Sequence, residues 1–126
     1  MVARIDPAAI DPAAVAAAQA AALPEELLTL IVGVFAALAD PTRARILYAL
    51  TARDLCVRDL AILAGVSESA VSHQLRLLRD QHLVKSRRER TTICYALDDQ
   101  HVAALFREAA YHADHVRTHL PDHAYP

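Results

Sequence analysis

Four residues near the C-terminal end carry the donor atoms of a metal site: Asp99, His101, His112 and His115. Neutral imidazole and carboxylate are zinc's usual nitrogen and oxygen ligands. The stretch from Asp98 to His115 contains no Gly or Pro and reads as one helix, capped by Asp98 or Asp99, with Pro121 as the next breaker. On such a helix His112 and His115 lie one turn apart and can share an ion. His101 cannot join them within its own chain. Eleven positions at about 1.5 Å rise put it roughly 16 Å away, whereas zinc holds its ligands at about 2 Å. An antiparallel second copy of the helix removes this obstacle: Asp99 and His101 of one chain then face His112 and His115 of the other, and two-fold symmetry repeats the site. Asp99 and His101 can converge if Asp99 sits at the cap, outside regular helical geometry. Any one of these histidines taken alone reads as a solvated surface residue. As a set beside the apolar stripe Val102, Phe106, Ala109, Ala113 and Val116, they read as a site.

The elements that must position this helix come earlier in the chain. With 126 residues, it is expected to form a single domain over residues 11–119, between flexible tails at 1–10 and 120–126. Asp11-Pro12 is a cap followed by a first-turn proline, and the alanine-rich run after it is helical by propensity. Pro24, Glu25 and Glu26 open a helix that is apolar nearly all round, yet its apolar part is shorter than the roughly 20 residues that span a bilayer. The better reading is a helix buried in a dimer core, with the two N-terminal helices packing on the partner chain. Asp40-Pro41 repeats the cap signal and starts a helix with Ile46, Leu47 and Leu50 inward.

A short helix V-R-D-L-A-I-L-A, a turn at Gly65-Val66 and a helix capped by Ser67 follow, which is the helix-turn-helix pattern. The second helix turns Val71, Leu75 and Leu78 to one side and Ser69, Ser72, His73 and Arg76 to the other. With Ser67 and Gln74, these polar residues are the ones expected to meet base edges and phosphates. Next, L-V-K-S-R-R and T-I-C-Y-A-L make a hairpin whose Arg87, Arg88 and Arg90 suit DNA backbone or minor groove. The formal net charge is only −2, so a nucleic-acid surface must be local. It is: residues 67–90 hold six basic against three acidic residues, whereas residues 98–126 hold two against five. The expected fold is mainly α with a small β-hairpin wing, a winged helix-turn-helix working as a homodimer.

The segments L-A-D-P-T-R-A-R-I-L, D-L-C-V-R-D-L-A, G-V-S-E-S-A-V-S-H-Q-L-R-L-L-R and D-D-Q-H-V-A closing with H-A-D-H resemble the ArsR/SmtB family of metal-sensing repressors. The resemblance runs from about Phe35 to His115 and is strongest to the zinc and cobalt sensors. Their helix motif, D-x-H then H-x-x-H, falls here on Asp99, His101, His112 and His115. The resemblance implies a metal-free dimer that holds operator double-stranded DNA and releases it when zinc binds. Cobalt and nickel are alternative ions because imidazole suits all three, and two cysteines with no signal-peptide core before Pro7 and Pro12 point to the cytoplasm. The resemblance also implies that the second nitrogen of His112 passes the signal to a main-chain carbonyl near His82. Some relatives bind soft metals through a C-x-C in the short helix, but here Arg58 stands at the second Cys, so Cys56 and Cys94 are expected to be structural.

Two other function classes compete with this one. A regulator sensing thiol oxidation through Cys56 and Cys94 is disfavoured because the cysteines fall on separate elements. A zinc hydrolase is less favoured still, since four protein ligands leave no open position for water and no separate general base stands out.

Overall fold

The computed structural model describes residues 6–119, 121 and 123. The ends of both expected tails, at residues 1–5 and most of 120–126, lie outside the described residues. The chain forms two compact units that divide between Val32 and Gly33. The first unit holds helix α1 (Pro12–Ala20) and the start of α2 (Glu25–Leu38). Asp11 caps α1, its Oδ1 accepting from the Ala14 amide at 3.0 Å. Neither α1 nor α2 has a buried residue within one chain, and Leu27, Leu28, Leu30, Val32 and Phe35 of α2 are exposed. Among the described residues no single helix is long and apolar enough to cross a membrane.

The second unit contains the winged helix. Helix α3 (Pro41–Ala52) starts where Asp40 accepts from the Arg43 amide at 3.0 Å. Strand β1 (Leu55–Cys56) leads into α4 (Val57–Ala64), which ends at Gly65 with φ +70°, a left-handed conformation that glycine adopts without strain. Ser67 then caps α5 (Glu68–Asp80) through its Oγ, which accepts from the Ala70 amide. Past α5 the Leu83 amide donates to Leu78 O and the His82 amide to Arg79 O, so His82 closes the helix in the left-handed region at φ +58°. Strands β2 (Val84–Glu89) and β3 (Thr92–Leu97) form the hairpin, and α6 (Gln100–Thr118) follows, capped by Asp99.

The wing has three strands rather than two: β1 pairs antiparallel with β3, giving the order β1-β3-β2. As the central strand, β3 is covered on both faces at its middle, and Cys94 and Tyr95 are both buried. The hairpin turns through Arg90 and Thr91 alone, since Glu89 pairs with Thr92, and Arg90 supplies the positive φ that glycine would normally supply.

Ile46, Leu47, Leu50, Leu60, Val71, Leu75, Leu78, Leu83, Val84, Tyr95 and Val102 form one core beneath these elements. Full burial of each large aliphatic side chain contributes about 1.5–3 kcal/mol, and this core holds the recognition helix and wing in fixed relation. The expected apolar stripe of α6 divides in two. Val102 is buried and Phe106 packs against the core, whereas Ala109, Ala113 and Val116 are exposed, because α6 outruns the chain's own core.

Candidate functional site

The surface with the chemistry for nucleic acid is built on α5 and the hairpin. The apolar side of α5 is sunk in the core, so its opposite side must face outward. Ser69, His73 and Arg76 are exposed there, and Ser72 is half-buried. Ser67 has a structural task as the cap, and the lone pair it gives to Ala70 is not available elsewhere. Gln74 is half-buried and accepts from Arg43 Nη1 at 3.1 Å, while Arg43 Nε donates to Ala37 O at 2.7 Å. Arg43 thus clamps α5 to the end of α2, and Gln74 lies on the inner flank of the recognition helix. Nothing about Arg43 within the P-T-R-A-R-I-L segment carried a sign of this.

The three wing arginines differ among themselves. Arg87 Nη1 donates to Asp54 Oδ2 at 2.6 Å and Arg87 Nη2 lies 3.5 Å from Glu89 Oε2, so two carboxylates hold this guanidinium. Arg88 and Arg90 are exposed. Arg90 heads the two-residue loop, so its side chain projects from the tip of the wing.

The expected metal donors occupy the two ends of α6. Asp99 is the N-cap: its Oδ1 accepts from the His101 amide at 2.9 Å and the Val102 amide at 3.1 Å. Asp99 therefore stands outside the regular helix at φ −156°, and its other carboxylate oxygen is not used by these cap bonds. His101 is exposed in the first turn, His112 is exposed and His115 is half-buried near the other end. Within one chain the described residues do not bring these four donors together. One carboxylate oxygen and three imidazoles are donors that fit a borderline cation such as zinc, and the helix length allows all four to meet on one ion only if they come from two chains. His119 lies past these donors and off the helix, which ends at Thr118, and it turns into the left-handed region at φ +59°.

The cysteines depart most from the sequence reading. They do lie on separate elements, but Cys56 of β1 is directly opposite Cys94 of β3, and their sulfurs are bonded. Cys56 is half-buried and Cys94 is buried. Lying on separate elements thus does not keep the two thiols apart, because a strand of two residues, too short for any periodicity to disclose, pairs them.

Comparison with known proteins agrees with this architecture. Residues 40–86, from the cap of α3 to the start of the wing, match the family described as bacterial regulatory protein, arsR family. The chain is 58% identical over 78 residues to a transcriptional repressor SmtB homolog of Synechocystis sp., a match spanning 62% of this chain and 59% of that protein. It is 40% identical to the HTH-type transcriptional regulator KmtR of Mycobacterium tuberculosis, covering 80% of this chain and 78% of the relative. Among solved structures, the homodimeric winged helix-turn-helix DNA-binding domain Mb0332 from Mycobacterium bovis superposes with a TM-score of 0.71 at 31% identity, covering 82% of this chain and 91% of that one. A match to KmtR over most of both chains, on a fold shared with a winged-helix DNA-binding domain, places this protein in the ArsR/SmtB family of bacterial transcriptional regulators.

Proposed function

We propose that the protein is a metal-responsive transcriptional repressor of the cytoplasm, whose homodimer binds operator double-stranded DNA when metal-free and releases it on binding zinc. Two zinc ions would bridge the dimer, each held by Asp99 and His101 of one chain with His112 and His115 of the other. Cobalt and nickel are the competing ions, because imidazole suits all three. Ser69, Ser72, His73 and Arg76 would read the major groove, and Arg88 and Arg90 would hold backbone from the wing. Ser67, Gln74 and Arg87 contribute mainly by holding this surface in place. Residues 11–119 work as one DNA-binding and dimerisation domain, with α1 and α2 packing on the partner chain.

The observation that carries this reading is the placement of donor pairs at opposite ends of one 19-residue helix whose Leu105 and Val116 remain exposed, at 39% and 59%. An antiparallel partner helix both covers those side chains and completes the ligand set. When bound, the metal supplies a cross-link between chains. Fixing an imidazole on one nitrogen orients the proton on the other, and for His112 we place the acceptor at a main-chain carbonyl near His82, at the end of the recognition helix. Metal then favours a dimer geometry whose paired reading heads no longer match successive grooves.

Fluorescence anisotropy tests it. A labelled duplex is selected from random sequence by the reduced, metal-free protein, and zinc and then a chelator are added. Release by zinc with recovery on chelation is expected. A duplex that stays bound at saturating zinc sinks the proposal.

A further inference from the structure

The paired cysteines stand beside a carboxylate at the mouth of a cleft. The donor atoms of Cys56, Cys94 and Glu89 all lie within 4.8 Å of one another, and Glu89 Oε2 is 3.5 Å from Cys94 Sγ. Cys56 is the N-cap residue of α4 but makes no side-chain cap bond, so helix capping does not occupy its sulfur. The cleft, of about 900 Å³, opens between the start of α4, the first turns of α5 and the wing tip, and Cys56, Glu68, Ser69, Ser72, Glu89 and Thr92 line it. Cys94 is fully buried behind Cys56 and does not itself line the cleft, whereas Glu89 lines it and is exposed to solvent.

From this arrangement we infer that Cys56, Cys94 and Glu89 form a second metal site, taking one thiophilic divalent cation such as zinc when the two sulfurs are reduced. Two thiolates on a tetrahedral zinc at about 2.3 Å stand roughly 3.8 Å apart. Directly opposed residues of an antiparallel pair have Cβ atoms about 4.5–5.5 Å apart, within reach of that separation by rotamer choice alone. Glu89 supplies the third ligand and water from the cleft the fourth. This set differs in kind from the histidine set on α6. It is complete within one chain, two of its donors are soft sulfurs, and all three lie on the wing sheet rather than on α6.

The bonded and the metal-holding forms exclude each other. Thiol–disulfide exchange with a small dithiol transfers two electrons and two protons, breaks the Cys56–Cys94 bond and leaves the dithiol as its own disulfide. The two thiols then lose their protons to solvent as the cation binds. The cation also takes the Glu89 carboxylate from Arg87, which loosens one of the two contacts holding that guanidinium on the wing. A cation here would sit between Ser69 and Ser72 on one side and the wing on the other. That consequence for DNA rests on the function proposed above, whereas binding of the cation does not.

Cobalt titration of the full-length protein tests the site. The chain is reduced with a dithiol that is then removed under nitrogen, in a His112→Gln, His115→Gln background that disables the α6 set. A thiolate-to-cobalt charge-transfer band in the near ultraviolet is expected, abolished in Cys56→Ser and Cys94→Ser and displaced by zinc. Glu89→Gln should weaken cobalt affinity by about 10-fold or more, at least the loss typical of an outer-shell partner. Oxidised protein should give no band. Absence of the band in protein with two titratable thiols, or its survival in Cys56→Ser, overturns the inference. Should Cys94→Ser fail to fold, half-buried Cys56 and surface Glu89 still decide the matter. A band at this site together with failure of zinc to release DNA would overturn the proposed function and leave the site standing.

Discussion

Helices α5 and α6 are both amphipathic, yet they are finished differently. On α5 the apolar residues Val71, Leu75 and Leu78 are each fully buried by the chain's own core. On α6 only the first turns are covered, at Val102 and Ala103, while Leu105 and Val116 stay open to solvent. One chain therefore suffices to cover the apolar face of α5 and does not suffice to cover that of α6. On the function proposed above, this difference would let a metal act on DNA at a distance. The head is held by a closed core, and the surface left unfinished is the one whose geometry the proposed bridging ion would set.

The sharpest way to break this comparison is to damage each helix at its own apolar face. Leu75→Ala removes a fully buried side chain from the core and should destabilise the fold by about 2–5 kcal/mol, read from urea unfolding. A loss under about 1 kcal/mol would mean that α5 is not held as described. On α6, Leu105→Asp with Val116→Asp should leave the fold intact by circular dichroism and raise the dimer dissociation constant by about two orders of magnitude or more, each tenfold being about 1.4 kcal/mol. Light scattering that still gave a tight dimer would move the interface elsewhere.

The comparison sharpens when the ligands themselves are changed. His112→Gln should keep metal-free DNA affinity near wild type and remove zinc-driven release, erasing a coupling of about 1–3 kcal/mol per site. His119→Gln should change neither, since that residue lies beyond the helix in a left-handed cap. The reverse pattern in anisotropy would mean that the metal is held one turn further on, through His119 rather than His112. The smallest effects belong to the wing. Arg88→Ala and Arg90→Ala should each flatten the log–log salt dependence of DNA binding by about 0.9 per wing, or about 1.8 for the dimer, and Arg87→Ala by clearly less, because Asp54 and Glu89 already neutralise its charge. Equal slopes from all three would end the distinction drawn among them.

Much of this was legible in residue order because the signals were local. Asp11, Asp40, Ser67 and Asp99 each cap the helix that their type and position announce, since a short oxygen-bearing side chain satisfies amides only two or three residues on. The inward set Ile46, Leu47 and Leu50 and the α5 face followed from helical period alone. Period could not say where the α6 stripe would be covered. That depends on how far the core extends beneath the helix, and here it stops after Phe106.

The sequence by itself determined the order of elements, the division of charge between reading head and C-terminal helix, and the spacing that forbids one chain from gathering all four α6 donors. Each of these depends on neighbours within a few residues or on a simple count along the chain. The tertiary structure alone decided that Arg43 clamps Gln74, that Arg87 is held by Asp54, and that Cys56 meets Cys94. These contacts join residues 31, 33 and 38 positions apart. Pairs so distant meet only once strand register and helix packing have fixed which surfaces touch, and one residue of slip in β1 would have turned Cys56 to the other face of the sheet.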